Sequence, residues 1–484
     1  MLDIAWIREH RELLQRTADM KGVRVSIAEL MEKDAHRRRL LADIEARRRE
    51  SNRLSKRVGA LIGGRGPAGA GVLVDAADDG GVVDLDVNVE VERAMQQVKN
   101  LAAELASLEA EFAVVKEEYR QLMLLVPNPV SLDTPEGESD ADNVEVRRVG
   151  RLPEFDFVPR DHVELGRMLG LFDIPRGVRM AGSRNYVLKG DGCRLHQAVQ
   201  QLAMDVLERR GFTPLDVPLI VRGEALEHTG FFPLGEEQTF TVGDRDSGGD
   251  GGRDGRRYED WDGSGNGKAN GSGYGNEGHY LVGTSEVSLV SYFSGEVVDL
   301  AEPIRLSAAT PCFRKEVGSA GRDVHGLYRV HQFAKVEQVV LCANHSENDP
   351  GLSERLLQEL LRNAEEVVQL LELPYRVVSV CIGDLSQKAH KQYDLETWMP
   401  SRGVYGETHS ASNLLDFQAR RANIRYRAED GKLRYCHTLN GTAVATPRIL
   451  IPLLENHQQE DGSVRIPQAL RPYLNGVVEI RPES

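Results

Sequence analysis

Cysteine is scarce and poorly placed for cross-linking. The five cysteines, Cys193, Cys312, Cys342, Cys381 and Cys436, are odd in number, widely spaced and without a CxxC pair, which argues against a disulfide framework and a cysteine zinc site. They point to a reducing compartment. Long apolar runs are missing too: nowhere do 18 uncharged apolar residues follow one another, and the opening MLDIAWIREH carries acidic residues where a secretory leader needs an apolar stretch. The expectation is a cytoplasmic protein with no membrane partner. Basic charge is not in excess either. The 60 Lys and Arg face 75 Asp and Glu, a formal charge of -15, so a general polycation is excluded and any nucleic-acid surface has to be local. What is left, 484 residues with 40% hydrophobic and 28% charged side chains, fits a globular chain of several domains and excludes a collagen-like, mucin-like or wholly disordered one.

The most regular segment is residues 91–122. Val91, Ala94, Val98, Leu101, Leu105, Leu108, Phe112, Val115, Tyr119 and Leu122 step by three and four, the seam of a coiled coil. A looser stripe over roughly residues 35–62 offers Leu41, Ile44, Leu54, Val58 and Leu61. GGRGPAGAG between them should stop a helix, so the pattern predicts two helices folded back as an antiparallel hairpin joined near residues 63–85. Charge divides the pair. Residues 35–58 hold nine Arg or Lys (Arg37, Arg38, Arg39, Arg47, Arg48, Arg49, Arg53, Lys56 and Arg57) against three acids, while residues 89–123 hold seven Glu against four basic residues. Charge alone leaves two readings open: a local surface for phosphates, or arginines that solvate the coiled coil and pair with its acidic partner.

Residues 126–150 mix Pro, Gly, Ser and acids with little periodicity and read as a linker. Beyond them, amphipathic stretches such as LHQAVQQLAMDVLERRG alternate with strand-like runs such as TPLDVPLIV and YRVVSVCIG, so the body is α+β with a sizeable sheet. One stretch does not belong to a core. Residues 243–278 contain 13 glycines in 36 positions, too little apolar surface to offset the entropy of ordering, and are expected to form a loose insertion at a loop tip between two strands. No GK[ST] follows them, so they are no phosphate-binding loop.

Three polar clusters stand on strand-like segments. HYLVGTSEVSLVSYF carries Thr284, Ser285 and Glu286, with Thr284 and Glu286 expected on one face. In TPCFRKEVGSAGRDVHGLYRVHQFAKVEQVVLC, strand, glycine-containing loop and strand follow one another, with Arg314, Lys315 and Glu316 on the outgoing strand. His331, Phe333, Lys335 and Glu337 lie together on the return. GETHSASNLLDFQARR carries Glu407 and Ser410, and HTLNGTAVATPRILIPLLEN carries Thr442 ahead of a helix expected to begin near Arg448. A lone Arg–Glu pair on a sheet is commonly structural. Repetition of such pairs on polar strands is not, because each buried charge needs a partner.

These residues resemble the seryl-tRNA synthetase family, which belongs to the class II aminoacyl-tRNA synthetases. The resemblance spans almost the whole chain; it is carried by TSEV, by FRKE…GSAGRD…GLYRVHQFAKVE and by NGTAVATPR followed by an apolar helix and ENHQQEDG. A weaker first motif is the helix near residues 195–210 followed by GFTPLDVP, with Pro218 where the family supports its dimer interface. The resemblance implies an α+β fold. Residues 1–125 would be a tRNA-binding arm with an antiparallel coiled coil, 126–154 a linker and leading strand, and 155–484 a class II antiparallel-sheet catalytic domain carrying the insertion. It implies a homodimer that activates serine with ATP and transfers it to serine tRNA; members of the family can also serylate the selenocysteine tRNA.

Carried over residue by residue, the resemblance puts Arg314 on the α-phosphate and the serine carboxylate, Glu316 on the adenine amino group, Phe333 against the adenine ring and Val330 beside the nucleotide. Lys315 joins the ATP site. Glu337 would take the substrate ammonium, with Thr284, Ser285, Glu286 and Thr442 completing the serine pocket. Arg448 would meet the γ-phosphate, and Glu407 and Ser410 would bind Mg²⁺ near ATP, with Thr408 and His409 between them. The roles suit the chemistry: the serine carboxylate is already a nucleophile, so the barrier lies in joining two anions, which arginines and Mg²⁺ lower. No enzyme nucleophile is needed and His331 is expected to be structural.

The sequence departs from the family at three places. LSQKAHKQ stands before YDLE in place of a Gly/Ala-rich run, Thr408-His409 replaces the middle of an EISS-like element, and Pro447 precedes Arg448 in place of glycine. Glu407 and Ser410 are three apart and of opposite strand parity, so both can face one ion only if the strand bends or bulges. Two other functions share these features: a ligase that loads an amino acid onto a carrier protein, and a non-catalytic tRNA-binding paralogue. The basic hairpin weighs against the first and the full set of arginines and carboxylates against the second.

Overall fold

The computed structural model describes residues 1–63, 83–243, 278–318, 325–344 and 351–482. Most of the 243–278 stretch, the glycine run between the arm helices and most of the GSAGRD loop lie outside the described residues. The chain divides into two units: Ile4–Gln15 with Arg24–Val126, and Met1–Asp3 with Arg16–Val23 and Pro127–Ser484.

In the first unit, α1 (Ile27–Gly63) and α2 (Val83–Leu125) are the long helices. Ala94, Leu101 and Val115 of the expected seam are buried, and its other members are half-buried, as a 3.5-residue repeat requires. On α1 the stripe runs through Leu40 and Ile44, at 5% and 3% exposure, and not through Leu41, which is 38% exposed. Leu40 lies one turn before Ile44, and of two adjacent helical residues only one can turn fully to the partner. Ion pairs fix the direction: Lys33–Glu118, Arg47–Glu104 and Arg57–Glu90 join the helices, one number rising as the other falls. Arg48 pairs with Glu109, whereas Arg39, Arg53 and Lys56 have no carboxylate partner among the described residues.

The second unit is built on an eight-stranded sheet. Its strands are β1 (Val144–Val149), β2 (Thr213–Pro214), β3 (Ile304–Phe313), β4 (Gln332–Cys342), β5 (Tyr375–Ser379), β6 (Lys391–Met399), β7 (Val404–Asn413) and β8 (His437–Thr446). Their spatial order is β1-β5-β6-β7-β8-β4-β3-β2. Every pairing is antiparallel except β2 with β3. Helices α3 (Gly190–Arg209) and α5 (Leu352–Leu370) share a core with this sheet, Leu195, Val199, Leu202, Leu357 and Leu361 meeting Val336, Val340, Leu395 and Leu439. On β4 the alternation is clean. Val336, Val340 and Cys342 join that core while Val339 and Leu341 join a second one with Leu289 and Ile424. Lys335 and Glu337 therefore stand on the face away from α3 and α5.

Two short helices complete the frame, α4 (Glu286–Ser291) and α6 (Leu450–Asn456). A separate small sheet joins Ile220–Arg222, His279–Leu281 and Thr241–Val242. Its last two strands pair antiparallel, Thr241 opposite Tyr280 and Val242 opposite His279, at the two ends of the glycine-rich stretch.

Candidate active site

The hairpin β3–β4 carries most of the expected residues. Arg314 and Glu316 do not lie on the outgoing strand as expected, because β3 ends at Phe313. Arg314 N–H still donates to His331 O at 2.9 Å, but Glu316 then turns into the left-handed region at φ 51°. Two cationic neighbours engage it there, Arg329 on Oε2 at 3.1 Å and Arg184 on its carbonyl at 2.7 Å. The Arg314 guanidinium donates from Nε to Gly283 O at 3.1 Å and stands 5.3 Å from the Phe333 ring centroid. His331 donates from Nδ1 to the Arg314 carbonyl at 3.0 Å, a second bond across the end of the hairpin.

Beside this hairpin is an open cleft walled by Arg314, Glu316, Val330, Phe333, Thr442, Arg448 and the run Glu407–Ser410. Arg448 is anchored by Nε on Tyr328 O at 3.1 Å, by its position 4.5 Å from the Tyr328 ring centroid, and by Glu407 Oε2 at 3.7 Å. Glu407 and Ser410 come into the same cleft through a bulge. Leu395 pairs with His409 but Glu396 pairs with Glu407, leaving Thr408 as the extra residue that resets the parity of β7. Thr408 Oγ1 donates to Leu395 O at 3.2 Å and accepts from His409 Nδ1 at 2.8 Å. Burial lowers the His409 pKa to about 3. Opposite Ser410 sits Asp394, whose pKa is raised well above the carboxylate range by burial and then by the Glu407 charge.

Five expected residues lie off the cleft walls. Lys315 lines a neighbouring depression, its Nζ 5.9 Å from the Phe240 ring centroid. Thr284, Ser285, Glu286 and Glu337 are buried together. Thr284 and Glu286 do not share a strand face: the strand stops at Leu281, and Glu286 opens α4. Thr284 Oγ1 donates to Glu337 Oε2 at 3.3 Å and receives the Glu286 N–H at 3.3 Å. Ser285 Oγ is buried with no hydrogen-bond partner among the described residues. Glu337 lies opposite Thr442 on β8 and pairs with Lys335, which itself lines the cleft. Burial raises the Glu337 pKa against the pull of Lys335.

Sequence reasoning placed Lys335 beside Glu337 without giving it a role, and missed Arg329, Lys388 and Gln418. Lys388 and Gln418 both donate to Glu286 Oε1, at 2.6 and 2.7 Å; the signal for Lys388 was the unusual LSQKAHKQ, and Gln418 gave none.

Residues 274–457 match the tRNA synthetase class II core domain (G, H, P, S and T), and residues 1–70 match the seryl-tRNA synthetase N-terminal domain. The serine–tRNA ligase of Deinococcus radiodurans is 40% identical over 479 residues, covering 98% of each chain. The seryl-tRNA synthetase of Pyrococcus horikoshii, solved with ATP, superposes with a TM-score of 0.79 at 32% identity over 100% of both chains. The cytoplasmic serine–tRNA ligase of Naegleria fowleri, solved with AMP, gives 0.75 at 26% identity, over 100% of this chain and 99% of that one. Matched by both family domains and 40% identical to a serine–tRNA ligase over 98% of its length, the chain belongs to the seryl-tRNA synthetase family of class II aminoacyl-tRNA synthetases.

Proposed function

We propose that the cleft activates serine and that its neighbouring carboxylate cluster selects it. The chain is an ATP-dependent serine–tRNA ligase: serine and ATP give seryl-adenylate and pyrophosphate, and the seryl group then passes to the terminal adenosine of serine tRNA. The observation that carries this reading is the junction of the two parts, where Lys335 and Thr442 line the cleft and also border Glu337.

In this reading Arg314 and Arg448 neutralise the phosphates from two walls, so that the serine carboxylate can approach the α-phosphorus. Phe333, already stacked beneath Arg314, offers its ring to the adenine, with Val330 alongside. Glu316, fixed by Arg329, accepts from the adenine amino group. Glu337 takes the substrate ammonium, and Thr284, Ser285, Glu286 and Thr442 surround the hydroxyl. Thr408 and His409 shape the bulge. Lys315 faces away from the cleft and would reach a phosphate only if its side chain turned.

The donor set fits Mg²⁺. Glu407 and Ser410 are hard oxygen donors on one wall. No group of three or more His, Cys, Asp or Glu side chains among the described residues could hold a metal. When bound, Mg²⁺ supplies charge neutralisation on ATP. Glu407 and Ser410 would hold it. The helical unit fits a tRNA grip; a homodimer, charging of selenocysteine tRNA and a cytoplasmic location are proposed with it. No helix among the described residues is long and apolar enough to cross a membrane.

Pyrophosphate exchange across all amino acids, followed by charging of total tRNA, tests the reading. Exchange should depend on serine and charging should be confined to serine-accepting tRNA. Exchange with another amino acid, or none with serine, would reject it.

A further inference from the structure

LSQKAHKQ, the segment that departs from the family pattern, places Lys388 in the interior. Its Nζ lies 2.6 Å from Glu286 Oε1 and 3.9 Å from the Phe231 ring centroid. The two side chains of the ion pair are 12% and 4% exposed, so little water weakens it. The backbone of this segment is fixed from behind. Asn128 Nδ2 donates to Lys388 O at 3.0 Å, and the buried Lys21 ammonium donates to Gln387 O at 3.4 Å and Ala389 O at 2.6 Å, on either side of it. Among the described residues Lys21 has only backbone carbonyls as partners, Asn128 O and Ser386 O being the others. Lys388 is thus presented to Glu286 by a loop with little freedom to move.

The charge balance gives this contact a purpose. The buried cluster holds two carboxylates and two ammonium groups, Glu286 with Lys388 and Glu337 with Lys335. A balanced cluster admits a zwitterion without gaining net charge, whereas an unbalanced one must bury an uncompensated ion. Glu286 Oε1 is also taken by Gln418, and among the described residues nothing donates to Oε2. We propose that Lys388 is a positioning residue that sets amino-acid specificity: it fixes the Glu286 side chain with one oxygen committed, leaving the other to accept the substrate hydroxyl. The proposal rests on the assignment of serine activation to this chain.

The test is a double-mutant cycle in the full-length protein, read by pyrophosphate exchange. Lys388→Met should raise the KM for serine at least about tenfold, leave the KM for ATP within about twofold, and narrow the preference for serine over alanine. Added to Glu286→Gln, it should change the serine KM by less than about twofold, because Lys388 acts only through that carboxylate. An unchanged serine KM, a parallel rise in the ATP KM, or additive losses in the double variant would overturn the proposal. Should Lys388→Met alone fail to fold, the comparison of Glu286→Gln with the double variant, in which no buried carboxylate is left unpaired at that position, decides it by the same criterion. Failure of the underlying assignment looks different: the parent protein itself would then show no exchange with serine.

Discussion

Arg314 is held from three sides, by its own N–H on His331, its Nε on Gly283 and the face of Phe333. In the proposed role it would meet ATP already held in place, which lowers the side-chain ordering that binding requires. Arg314→Ala should lower serine-dependent exchange by roughly 100- to 1,000-fold while tRNA binding, measured by filter retention, stays unchanged. A second residue-scale prediction concerns acid. Burial lowers His409 from 6.5 to about 3 and His437 from 6.5 to about 4. The unfolded chain takes up protons that these folded histidines refuse, so the stability they confer is intact above about pH 6.5 and is lost as pH falls toward the folded values. From pH 7.5 to pH 5 each should cost about 2 kcal/mol. The urea midpoint should fall over that interval, and His409→Gln should make the fall shallower. At this scale the sequence singled out Arg314 and Glu337, which the fold places on the cleft wall and in the buried cluster beside it. It was not legible for Lys388 and Gln418, whose importance comes from the fold bringing them to Glu286 across 102 and 132 residues.

Elements were legible where periodicity is long. The α2 seam spans nine turns' worth of consistent spacing, and burial follows it position by position. The α1 stripe was read one residue off at Leu41 because two adjacent leucines are equivalent in sequence until a partner helix chooses between them. The bulge at Thr408 was foreseeable from parity alone: two residues three apart cannot share a strand face without an extra residue between them. The strand expected around Glu286 is helical instead, since a six-residue helix offers too little periodicity to distinguish it from a short strand. Of the arm's basic residues, Arg47, Arg48 and Arg57 meet glutamates of α2, and Arg39, Arg53 and Lys56, which have no carboxylate partner among the described residues, are the ones we propose for a phosphate backbone. Changing those three to Glu should raise the KM for tRNA by about tenfold or more and flatten its dependence on salt, with exchange unaffected. Equal tRNA KM values at low salt would refute the role.

Across the whole molecule, the glycine-rich stretch is bracketed by paired strands, Thr241–Val242 against His279–Tyr280. Its ends therefore leave from adjacent positions, and a short turn can replace what lies between them. Deleting residues 245–275 should leave serine activation within about twofold and thermal stability nearly unchanged; if charging of tRNA alone weakened, the stretch would have an RNA contact of its own. The composition that set this stretch apart was plain in the sequence, as were the sheet-rich body and the helical arm. The division of the chain into units was not, because residues 16–23 lie in sequence between two pieces of one unit yet belong to the other. Lys21 makes that discontinuity matter. A chain begun at Pro127 would keep every strand of the main sheet and still lack the ammonium that plugs four carbonyls behind Lys388, so isolating the catalytic machinery calls for an internal splice that retains the first two dozen residues.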